Sequence, residues 1–144
     1  MTASAESPPM RRILCQIALP CLIALPAQAE EWAFGGFDPV GMVQAGHPVA
    51  GRSDVATMWR GKLWHFATEE NRASFEANPR SFLPQFDGFC PVSVAEGHPI
   101  KGDPRNAVLI RGKLYMTRSP SAARELRRHP AEILGRAGRN WSGR

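Results

Sequence analysis

Soft and borderline donor side chains are the first place to look for chemistry in this 144-residue chain, which holds three cysteines, four histidines and five methionines. Cys15 and Cys21 fall in an N-terminal segment expected to be removed on export, so Cys90 is the one thiol left to the folded protein. A single cysteine outside the cytoplasm has no internal disulfide partner. It is then a reactive thiol, a metal ligand, an intermolecular partner or a small buried hydrophobe. A thiolate suits copper or another soft metal ion, and Met42, His47 and His98 are the donors expected to join Cys90 in such a site. None of them shows the paired spacing that marks a zinc or copper site in a sequence. Met58 and Met116 fall in strands and read as core filler. His65 alternates away from its neighbours Trp64 and Phe66 and reads as exposed or partly buried.

Covalent catalysis at Cys90 would need a base within reach and a third group to orient that base. The histidines leave a cysteine-dependent redox enzyme open as an alternative. The sequence has no glycine-rich phosphate loop, no serine-nucleophile elbow and no paired-histidine helix motif. A non-enzymatic protein is therefore expected.

The elements that must position these residues begin after residue 29. Arg11 and Arg12 precede an apolar run from Ile13 to Leu25, and Ala27-Gln28-Ala29 has the small-x-small form of a signal-peptidase site. The run is shorter than the roughly 20 residues a transmembrane helix needs. Residues 1–29 thus read as a cleaved signal peptide opening at Met1 or Met10, and the product as periplasmic or secreted. No later segment is apolar enough to span a membrane.

Charge divides the remainder. Residues 30–100 carry 5 Lys/Arg against 9 Asp/Glu, a net −4, and residues 101–144 carry 11 against 3, a net +8. The basic part has no aromatic side chains interleaved for base stacking, and an exported protein meets little nucleic acid, so nucleic-acid binding is not expected. Arg124, Arg127 and Arg128, with Arg136 and Arg139 beyond them, would instead present a basic face to an acidic periplasmic protein partner.

Internal self-similarity supplies the architecture. Gly36-Phe37-Asp38-Pro39-Val40 recurs as Gly88-Phe89-Cys90-Pro91-Val92, Gly46-His47-Pro48-Val49 as Gly97-His98-Pro99-Ile100, and Arg60-Gly61-Lys62-Leu63 as Arg111-Gly112-Lys113-Leu114. Gly51, Pro79 and Leu83 recur as Gly102, Pro130 and Leu134, and one deletion between Val40 and Gly46 brings everything into register. Each copy predicts a Gly-His-Pro turn, then a hairpin over 55–59 and 63–66, or 107–110 and 114–116, turning at Arg-Gly-Lys. A helix follows, capped by Thr68 in one copy and by Ser119 ahead of Pro120 in the other, and ended by Pro79 or Pro130. The fold class is α+β: two tandem ββα units, 30–86 and 87–144, packed as one small pseudo-twofold domain. The shared core is expected from Phe37, Trp59, Trp64, Phe66, Phe75, Phe82, Phe89, Leu109, Leu114, Tyr115 and Leu126.

With the repeat in place, a family likeness emerges. Asp38-Pro39-Val40, the hairpin into His65-Phe66-Ala67, and Asn71 through Phe75 to Asn78-Pro79 resemble the YHS domain family. The stretch from Gln85 to Val92, with Gly102-Asp103-Pro104 and Gly112-Lys113-Leu114-Tyr115, is similar to exported bacterial tandem YHS proteins. Such modules also occur attached to copper-transporting ATPases, so the resemblance implies binding of copper or another heavy metal. Gly41, Ala67 and Asn71 stand where cysteine-rich members carry thiols, and copy two has Val94, Arg118 and Ala122 in that region. The resemblance thus implies a binding module with soft-metal ligation centred on Cys90, the alternative being a metal-free electrostatic partner-binding module.

Overall fold

The computed structural model describes residues 31–142; the expected signal peptide lies outside them. The chain folds as an α+β body of five α-helices and two antiparallel two-stranded sheets among the described residues. Each copy opens with a left-handed turn, in which Phe34, Gly35 and Gly36 (φ 56°, 60° and 80°) match Phe86, Asp87 and Gly88 (φ 54°, 49° and 78°). The repeat therefore reaches back past Gly36 to the Phe34/Phe86 identity.

The first departure from expectation follows at once. Asp38-Pro39 starts a short helix α1 (Pro39–Ala45) and Cys90-Pro91 its counterpart α3 (Pro91–Ala95), so the unit is αββα and not ββα. Proline at the first helical position gives up a backbone N–H that has no partner there anyway. The one-residue deletion falls in this stretch: α1 runs 7 residues to its C-cap Gly46, whereas α3 runs 5 to its C-cap Glu96, just before the left-handed Gly97.

The hairpins β1–β2 (Arg52–Trp59, Lys62–Phe66) and β3–β4 (Asp103–Ile110, Lys113–Thr117) are longer than predicted. Their turns have two residues and not three. Trp59 pairs directly with Lys62, leaving Arg60 and Gly61 both at positive φ, and Ile110 pairs likewise with Lys113 across Arg111 and Gly112. Two positive φ values match the right-handed twist of the flanking strands.

The helices α2 (Glu69–Ala77) and α4 (Pro120–Arg128) carry the expected caps, Thr68 Oγ1 accepting from Asn71 N at 3.1 Å and Ser119 Oγ from Ala122 N at 3.2 Å. After Pro79 the chain makes a single turn of 3₁₀ helix. After Pro130 it makes a 12-residue helix, α5 (Pro130–Trp141), so this proline opens a helix as well as ending one.

Two apolar clusters replace the single shared core. In the first, Phe75 meets Trp59, Trp64, Phe66 and Phe82 at ring distances of 4.9 to 6.5 Å. The second unit contributes Ala107, Leu114 and Met116 to that cluster. The second cluster belongs to the second unit and joins Cys90, Val92, Val108, Tyr115, Leu126 and Ile133. The hairpin β3–β4 thus lies between the two, with alternate residues facing each. That explains why the stretches 107–110 and 114–116 are apolar on both faces. Full burial of side chains this size stabilises by about 1.5–3 kcal/mol each.

Candidate functional site

Asp38 and Cys90 hold the same position, the N-cap of the opening helix, in opposite chemical surroundings. Asp38 is fully buried and accepts three hydrogen bonds: from Gly41 N at 2.9 Å, Ala67 N at 2.8 Å and Asn71 Nδ2 at 2.6 Å. It ties α1 to the end of β2 and the start of α2. The matching positions in copy two are Ser93, Arg118 and Ala122. Cys90 is also fully buried, but its thiol caps nothing and packs in the second apolar cluster. Ser93 takes over the polar work. Its Oγ donates to Cys90 O at 2.8 Å and accepts from Ile100 N at 3.0 Å. Arg118 turns outward to Glu96 at 2.8 Å. That hydrogen bond holds the guanidinium above its usual range, with a smaller contribution from the nearby Cys90.

The sequence-derived metal donors are dispersed. Cys90 lies in the second cluster, Met42 is buried in the first, and His47 and His98 are exposed on equivalent turns after the left-handed Gly46 and Gly97. Met42 and His47 border one small crevice, which Cys90 and His98 do not reach. Among the described residues, no three of His, Cys, Asp and Glu converge in a way that would hold a metal ion. Met116 is buried as expected, but Met58 is 55% exposed and is not core. His65 is buried, edge-on to the Trp32 ring at 4.6 Å, and is not the exposed residue that alternation suggested.

The basic residues do come together. Arg124, Arg127 and Arg128 are exposed on α4 and make no ion pair among the described residues, whereas Arg52, Arg72, Arg105, Arg118 and Arg136 are each paired with a carboxylate. Arg124 and Arg127 also line a recess of about 220 Å³ with His47, Pro48, Arg105 and Asn106. The first unit's Gly-His-Pro turn thus forms one wall of a site whose charge comes from the second. Sequence spacing found the three arginines (i, i+3, i+4 on a helix) but not His47, which only tertiary packing brings to them. Asp103, held below the usual carboxylate range by its hydrogen bonds to Arg105, neutralises that arginine alone.

Compared with protein-family models, curated proteins and solved structures, the chain matches none. No helix among the described residues is long and apolar enough to cross a membrane.

Proposed function

We propose that this protein is an exported, YHS-type binding module without enzymatic activity, which docks an acidic partner on the basic face of α4. The observation that carries the reading is the set Arg124, Arg127 and Arg128, exposed on one helix with a single carboxylate, Glu125, among them, and with Arg124 and Arg127 beside His47. Unpaired like charges crowded on a helix destabilise the isolated fold slightly and favour an oppositely charged surface. The export part of the proposal rests on residues 1–29.

The non-enzymatic reading is supported by Cys90, which is wholly buried and has no hydrogen-bonded base among the described residues. Soft-metal ligation draws its support from the family resemblance and gains none from the dispersed donors. A Cu(I) titration separates the two: uptake is expected to be the same in wild type and Cys90→Ser, and stoichiometric uptake lost in that variant would restore the metal reading. The docking reading is tested by capture from periplasmic extract. A salt-sensitive complex is expected with wild type and none with Arg127→Glu/Arg128→Glu. A complex that survives the charge reversal would overturn it.

A further inference from the structure

The left-handed turns and hairpins of the two copies do not close against each other completely. Between them lies a cleft of about 560 Å³, within the range of small-molecule sites. Three indoles, Trp32, Trp59 and Trp64, form one wall from the first unit, and Pro104 and Met116 face it from the second. Trp32 is 56% exposed, an unusual position for so large an apolar ring unless something covers it.

The charges around the cleft narrow what that would be. Lys62 is neutralised by Glu31 at 2.6 Å. Arg60 has no carboxylate partner and stacks over the Trp59 ring at 4.6 Å. Lys101 has none either; it sits over the Phe89 ring at 4.0 Å and donates to the carbonyl oxygen of Asp87. Among the described residues, these two cations are without an ion-pair partner, and the unpaired carboxylate lining the cleft with them is that of Asp87. Each unit thus supplies one cation steadied on an aromatic face beside an apolar floor.

We infer that this cleft is a binding site for a planar aromatic ligand carrying a single acidic group, its ring against the indoles and its anion between Arg60 and Lys101. Stacking on an aromatic face and a charge-assisted hydrogen bond both strengthen when the ligand displaces water from a concave wall. The site lies on different residues from the α4 face, so it stands or falls separately.

Two naphthalene probes test it on the purified chain: the anionic anilinonaphthalene sulfonate and the uncharged N-phenylnaphthylamine. The anionic probe is expected to bind saturably at one site, with energy transfer from tryptophan that falls in Trp32→Ala. Its affinity should drop by about tenfold in Arg60→Asn/Lys101→Gln, asparagine being chosen because it tolerates the positive φ of Arg60. Arg111→Asn, at the matching turn of the second hairpin and outside the cleft lining, serves as the control and should bind as wild type does, and circular dichroism confirms that all variants are folded. Absence of saturable binding, equal affinity for the uncharged probe, or an unchanged affinity in the double variant would each overturn the inference.

Discussion

A buried carboxylate stays buried only where donors meet it, and Asp38 meets three. Replacing it by alanine would leave Ala67 N, Gly41 N and the Asn71 amide short of a partner in the interior, so Asp38→Ala is expected to lose about 2–4 kcal/mol in urea unfolding. The converse holds in copy two. Cys90→Asp would bury a carboxylate beside Ala122, which has no amide to offer, and should destabilise by several kcal/mol. Adding Ala122→Asn should recover part of that loss, a coupling that a double-mutant cycle reads directly. The Asp38/Cys90 divergence is legible in the aligned repeat. Its companion, Asn71 against Ala122, shows in the sequence only as a missing thiol position and not as a partner of Asp38, because the contact spans 33 residues and forms only after β2 returns the chain to α1. The Glu96–Arg118 pair carries a pH signature. Its hydrogen bond from Arg118 holds the Glu96 carboxyl below the usual glutamate range in the folded state. The pair therefore stabilises above that range and loses its effect as pH falls through the lowered value. The groups are largely open to water, so Glu96→Gln should cost only about 0.2–1 kcal/mol at pH 7. The difference should shrink as pH falls below the usual glutamate range and vanish once the lowered value is passed, in urea midpoints measured against pH.

Among the elements, the glycine after each Gly-His-Pro turn marks where the chain passes closest to a neighbouring strand. A Cβ on Gly51 would lie 2.7 Å from the main chain of His65, and one on Gly102 2.5 Å from that of Met116. Both glycines tie the start of the hairpin to the opening left-handed turn, donating to Gly36 O and Gly88 O. Gly102→Ala is expected to lower stability by about 1–3 kcal/mol through forced backbone movement, with a matching drop in the thermal midpoint. A midpoint within error of wild type would contradict the packing described. The hairpins and the capped helices were readable because turn residues, aromatic strands and Ser/Thr caps act locally. The opening helices are not legible in the sequence, because runs of 7 and 5 residues bounded by Pro and Gly fit a turn as well as a helix. The length of α5 depends on what covers α3. Asn140 Nδ2 donates to Val94 O at 2.9 Å, and Trp141 packs on Phe86 and Phe89 at 5.8 and 5.7 Å. Those contacts are long-range, and a window of sequence does not contain them.

For the molecule as a whole, duplication made two copies and divergence gave them different work. The first is acidic and keeps the buried Asp38 network; the second is basic, replaces that network with an apolar cluster around Cys90, and adds α5. One hairpin, β3–β4, serves both clusters, which is why the expectation of a single pseudo-twofold core was too simple. The same divergence leaves α4 with three arginines against one carboxylate, Glu125, and the docking proposal follows from that excess. The most direct test is the affinity of a fluorescein-labelled Asp/Glu-rich peptide for wild type and for Arg124→Glu/Arg127→Glu, measured by anisotropy across a salt series. The account expects wild-type binding that weakens steeply as salt shortens the screening length, and at least about tenfold weaker, nearly salt-independent binding by the variant. Equal affinities with equal salt slopes would contradict it.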